Sequence, residues 1–97
     1  MARRIIFRPI AVADLDRARK SFSDGDGMAV ARFEADMEQT LAYIEQFPNG
    51  FQERRPPFRF APLAVFRYSI IYALEGNDVV VYRVRHMPQK PLKRFFG

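Results

Sequence analysis

Apolar positions change their period near the middle of the chain. As far as Phe47 they recur at steps of three and four, and from Phe51 they alternate. Ahead of the helical part stands RRIIFRP, residues 3–9. Its Ile5 and Phe7 share one face, against Arg4, Ile6 and Arg8 on the other, which predicts a short strand. Pro9 ends that ladder because it has no N–H to donate. In AVADLDRARKSF, Val12, Leu15, Ala18 and Phe22 form one stripe and predict a first helix. Asp16 and Lys20 stand four apart on it, acid first, the favourable order for a surface pair. SDGDG then supplies a turn, with Asp26 as the expected N-cap of the next helix. That helix is predicted over Gly27 to Gln46. Val30, Phe33, Met37, Leu41 and Ile44 make its stripe, and Tyr43 and Phe47 extend it. Arg32, Asp36, Glu38 and Glu45 are expected on the opposite, solvated face. FPNG ends the helix. So short a connection predicts two antiparallel neighbours.

Beyond Phe51, FQERR predicts a short strand and PPFRFAP a Pro-broken continuation of it. AVFRYSIIYAL carries the strongest alternation. Phe66, Tyr68, Ile70 and Tyr72 share one face, and Arg67, Ser69, Ile71 and Ala73 share the other. EGND reads as a hairpin turn. In the return strand DVVVYRVRH, Val80, Tyr82, Val84 and His86 fall on one face, with Val79, Val81, Arg83 and Arg85 on the other. The order β-α-α-β-β-β predicts one α+β domain over residues 1–97. It consists of an N-terminal strand, an antiparallel helical hairpin and three antiparallel strands, with the helices on one face of the sheet. Alternation then assigns Arg67, Arg83 and Arg85 to the open face. MPQKPLKRFFG predicts a tail with little regular structure.

Composition narrows the class. Hydrophobic residues make up 48% of the chain, too many for a disordered segment. The absence of cysteine excludes disulfides and thiolate metal sites and fits a reducing, cytoplasmic location. Arg8, Pro9 and Asp14 interrupt the first apolar run too early for a signal peptide. No stretch approaches the ~20 apolar residues of a membrane span, so no membrane partner is expected. Net charge is +5, and its distribution is uneven. Residues 1–53 hold seven basic and nine acidic side chains, whereas residues 54–97 hold nine basic ones and only Glu75 and Asp78 as acids. The whole positive excess lies in the second half, which points to an acidic partner, protein or nucleic acid.

The candidate chemistry is sparse. One histidine and no cysteine leave no metal-ligand cluster, and DGDG follows a helix, so it is a turn and not a phosphate loop. No cofactor is expected. A Ser-His-Asp triad would have to use His86, and nothing local supports one. Two sets remain. The first is basic: Arg67, Arg83, Arg85, His86, Lys90, Lys93 and Arg94. Arginine forks bind carboxylates and phosphates. A histidine among them can assist phosphodiester cleavage, or it can be an ordinary strand-end residue bonded to backbone. The second set is aromatic: Tyr68, Tyr72, Tyr82, Phe58, Phe60 and Phe66. Aromatics among arginines can stack nucleobases, but Tyr68, Tyr72 and Tyr82 fall on predicted core faces, where packing is the better account.

The short first strand, the helical hairpin and FRYSIIYALEGNDVVVYRVRHMPQKP together resemble the RelE/ParE superfamily, the toxins of type II toxin–antitoxin modules. The resemblance rests on YSIIY (Tyr68 to Tyr72), a short turn, VYRVRH ending at His86, and Pro91 a few residues on. It implies a toxin covered by a cognate acidic antitoxin, with operator DNA reached only through that antitoxin. RelE-like members cut mRNA on the ribosome and ParE-like members poison DNA gyrase. Ser69 stands where RelE-like toxins tend to place an arginine, and the tail holds Phe95 and Phe96 but no tyrosine. Both departures favour the ParE side. Met87, Pro88 and Gln89 replace the arginines that many ParE-like sequences carry after the histidine. The expected function is therefore a non-catalytic gyrase poison. Its target or antitoxin surface would comprise Arg67, Arg83, Arg85, Lys90, Lys93 and Arg94. The alternatives are a metal-independent endoribonuclease, with His86 as acid/base beside Arg67, Arg83 and Arg85, and an inactive relic that only binds its antitoxin.

Overall fold

Seven elements succeed one another in the computed structural model, which describes residues 3–23 and 27–87: β1 (Ile5–Phe7), α1 (Pro9–Ser23), α2 (Gly27–Gln46), β2 (Glu53–Arg55), β3 (Phe58–Pro62), β4 (Tyr68–Glu75) and β5 (Asp78–His86). The expected α+β class and element order stand. The segment read as a strand with a broken continuation is two strands, β2 and β3, folded back on each other at Pro56–Pro57. Pro9 ends β1 and also opens α1, where its missing N–H costs nothing. Arg8 is the joint. Its N–H donates to the Val81 carbonyl at 2.9 Å, and its own carbonyl accepts from Ala11 and Val12.

The strands form one sheet in the order β1-β5-β4-β3-β2. β1 pairs parallel to β5 over Ile5↔Val79 to Phe7↔Val81, and the other pairs are antiparallel. Gly76, at φ 62°, sits first in the two-residue turn between β4 and β5, as a type II′ hairpin requires. The helices pack as an antiparallel hairpin. Phe22 meets Phe33 at 5.3 Å between ring centroids, and Arg19 Nε donates to Glu34 at 2.6 Å. Beneath them lies a core of Phe33, Met37 and Ile44 from α2 against Ile70, Tyr72, Val79, Val81 and Val84 from the sheet. Tyr72 is fully buried, and its hydroxyl donates to the Pro48 carbonyl at 2.7 Å. That satisfies its one polar group at the point where α2 ends.

Three sequence expectations shift. β5 carries a bulge: Ile71 opposes Arg83 but Tyr72 opposes Val81, so Tyr82 is left over. A single extra residue reverses the alternation. Val79 and Val81 before the bulge, and Val84 and His86 after it, therefore share the helix side. Tyr82 leaves the expected core face. It packs edge-on against Phe58 at 5.1 Å, lies under the Arg8 guanidinium and donates to Glu75. Second, Ala18, Leu15 and Phe22 of the expected α1 stripe do pack on the core, but Val12 is 45% exposed and Ala11 and Asp14 are buried in its stead. Third, Asp36 is buried and not solvated, whereas Tyr43 and Phe47 are half exposed and cluster with Phe51 at 5.1 and 5.3 Å. Asp26, the expected cap of α2, lies outside the described residues.

Candidate functional site

β1 covers β5 only as far as Val81 and Arg8, so among the described residues no strand lies beside the last residues of β5 on that side. Asp14, in the first half of α1, takes the place of the missing strand. Its Oδ2 accepts the Val84 N–H at 3.0 Å and the Arg83 Nε at 2.8 Å, and its Oδ1 accepts Arg83 Nη2 at 3.2 Å and Arg17 Nη2 at 2.8 Å. Burial alone would push the Asp14 carboxyl up. The Arg83 guanidinium, the Val84 amide and Arg17 together outweigh it and hold the carboxyl below its ordinary range. Arg83 is raised by the same hydrogen bond.

This corrects the placement of Arg83. It does not point freely from the open face but reaches the helix, in a two-toothed pair with Asp14. Arg85 does lie on the open face, opposite Ser69, and it is exposed. Arg67 precedes β4 and is exposed, its carbonyl accepting the Met87 N–H at 2.8 Å. Neither Arg67 nor Arg85 has an acidic partner among the described residues. His86 is exposed at the end of β5 on the helix side, its ring edge-on to Tyr68 at 5.2 Å. Lys90, Lys93 and Arg94 lie outside the described residues.

Between the end of β5 and α1 these groups line a recess of about 330 Å³, with Arg17, Ser21, Tyr68, Arg83 and His86 on its walls and Asp14 at its base. Arg17 and Arg83 bond the one carboxylate and Arg85 also borders the recess, so the corner is net positive. Such a corner holds an anionic group well. Within it, Arg83 is already committed to Asp14. Among the described residues no group of histidines and carboxylates could hold a metal ion. No helix among them is long and apolar enough to cross a membrane.

Sequence reasoning overlooked Asp14, Arg17 and Ser21. The signal for Asp14 was present: it stands three after Ala11 and four before Ala18, inside the apolar stripe. The aromatic set divides. Phe66 and Tyr68 pack with Phe22 and Phe33 in the core, whereas Phe58, Phe60 and Tyr82 lie on the open face, Phe60 beneath the Arg54 guanidinium.

The comparisons bear on this arrangement as a whole. A search of curated proteins finds no match by sequence. Among solved structures, a chain of the chromosomal ParDE TA system from P. aeruginosa superposes with a TM-score of 0.77 at 18% identity, covering 90% of this chain and 98% of that one. That likeness establishes the fold. The family model of the ParE toxin of the type II toxin–antitoxin system parDE matches residues 5–91, which takes in every strand and both helices. The chain belongs to the ParE toxin family of type II toxin–antitoxin systems.

Proposed function

We propose that this toxin arrests growth by binding DNA gyrase, and that an acidic antitoxin neutralises it by covering its basic corner. The reading rests on family membership together with one geometric observation. Arg83, which lines the same recess as the lone histidine, is tied to Asp14 at 2.8 and 3.2 Å. Cleavage of RNA by its own 2′-hydroxyl needs a base, an acid and a charge clamp around one phosphorus. His86 lies edge-on to Tyr68 and forms no ion pair with a carboxylate among the described residues. The surplus charge on Arg67 and Arg85 suits a protein surface that recognises carboxylates.

Induced expression without a partner, read for both DNA breaks and mRNA ends, tests the proposal. Gyrase poisoning yields cleaved DNA, an SOS response and filamentous cells. Message cut in the ribosomal A site would replace it with the ribonuclease reading, and absence of arrest with that of an inactive relic. His86→Ala is expected to leave the arrest intact. If arrest disappears while the variant remains folded, His86 has a role that this proposal denies it.

A further inference from the structure

The bulge that displaces Tyr82 completes an aromatic platform on the side of the sheet opposite the helices. Tyr82 on β5 meets Phe58 on β3 edge-on at 5.1 Å. β4 runs between the two strands and presents only Ile71 and the small, buried Ala73 there, so the rings can meet across it. Phe60, opposite Ile71, continues the platform along β3. All three rings are half-buried, so each keeps part of its surface in water. Guanidinium groups interleave with them. That of Arg8 lies over Tyr82 at 5.2 Å from the ring centroid, and that of Arg54 over Phe60 at 5.4 Å. Arg85 stands on the same face. These three arginines are exposed, and none has an acidic partner among the described residues. The acids of the sheet are engaged elsewhere: Glu75 accepts from Tyr82, Asp78 pairs with Arg4, and Glu53 opposes Arg59. Beside Phe60 the surface dips into a recess of about 640 Å³, bordered by Arg54, Pro62, Ser69 and Met87.

We infer that this face binds a short run of single-stranded DNA, its bases stacked on Tyr82, Phe58 and Phe60 and its phosphates on Arg8, Arg54 and Arg85. Every base has a flat apolar face and every linkage a negative charge, so a surface that alternates ring and guanidinium fits a single strand. A duplex keeps its bases inside the stack and offers the rings nothing. A 2′-hydroxyl is read by a polar group beside the sugar, and the carboxylate beside the rings, Glu75, is already taken by Tyr82. The face therefore has no means of demanding RNA. An acidic peptide would satisfy the arginines and leave the rings unused. The inference goes beyond the gyrase reading, which concerns a protein target, and does not rest on it.

The test uses purified full-length toxin and a fluorescein-labelled oligothymidylate of about twelve nucleotides, followed by anisotropy. Tyr82→Leu and Phe60→Leu are each expected to weaken binding about tenfold, because each removes a stacking ring and keeps an apolar side chain. Arg85→Glu is expected to weaken it about fivefold or more, and Arg32→Glu, an equal charge change on an exposed site of α2, less than about twofold. A strand with abasic sites in place of its bases keeps every phosphate and is expected to bind about tenfold more weakly. That arm leaves the protein untouched, so it decides the matter even where a variant fails to fold. Equal affinity for the abasic strand or for a duplex would reduce the site to general charge attraction and overturn the inference, as would equal losses from Arg32→Glu and Arg85→Glu. Oligouridylate is expected to bind within about twofold of the DNA, and a preference for it of about tenfold would assign the face to RNA instead. Displacement of the DNA by a glutamate-rich peptide at concentrations below those of unlabelled oligothymidylate would assign it to an acidic protein.

Discussion

Asp14 and Asp36 are withdrawn from water to the same degree, at 5% and 4% exposure, yet they hold different kinds of donor. Asp36 accepts three consecutive backbone amides, Ala64, Val65 and Phe66, at 3.2, 2.9 and 2.9 Å. Those amides belong to the turn between β3 and β4, and they cannot leave without unfolding it. Leu63 and Phe66, which flank the turn, pack into or against the core. Asp14 accepts one amide and two guanidinium groups, whose long stems can swing into water. One carboxylate pins a loop to α2, and the other organises a charged corner. Equal burial of two carboxylates does not mean equal importance to stability. The mobility of the donors decides it.

The contrast can be broken in order of size. Asp36→Ala is expected to cost about 3–4 kcal/mol in urea unfolding, because three fixed amides lose a charged acceptor at once. Asp14→Ala should cost about 2 kcal/mol, since its arginines rehydrate and only the Val84 amide is stranded. A larger loss at Asp14 than at Asp36 would reverse the assignment. The third effect is on pH. The Asp14 carboxyl lies below its unfolded value in the folded chain. Its contribution is therefore complete above the ordinary carboxylate range and is lost as pH falls through the depressed folded value. The stability gap between the natural chain and Asp14→Asn should be full at neutral pH and should close in strong acid, as followed by unfolding curves across that range. Smallest of all, Arg85→Glu should leave stability within about 0.5 kcal/mol, because that side chain is exposed and has no acidic partner among the described residues. A thermal melt checks this and licenses the same variant in the binding assay.

The periodicity of the sequence carried the helices, the last hairpin and the α+β order. The limits of α2 and the apolar residues Phe33, Met37, Ile44, Ile70 and Tyr72 were legible for the same reason. Asp14 and Asp36 were not, because a carboxylate on a helix is ordinarily solvated. Only the tertiary position of residues 64–66 and 83–84 makes these two buried acceptors. β3 was obscured by its prolines, which sit at the turn and at the strand end, where a ladder tolerates them. Of the residues singled out from charge and position, Arg85 and His86 border the recess and Arg67 does not. Arg83 was misplaced and Arg17 missed, since both depend on the acid that pattern reading sent to the surface.

The leftover residue in β5 has a consequence for comparing this toxin with its relatives. Tyr82 resets the pleat, so the valines before it and the Val84–His86 segment after it obey opposite parity. A relative with the same letters but no bulge at this point would present its terminal histidine to the other side of the sheet. Equivalences drawn along β5 should therefore be counted inward from each end and allowed to meet at Tyr82. Roles assigned by uninterrupted counting would swap helix-facing and open-face residues throughout the corner that carries the charge.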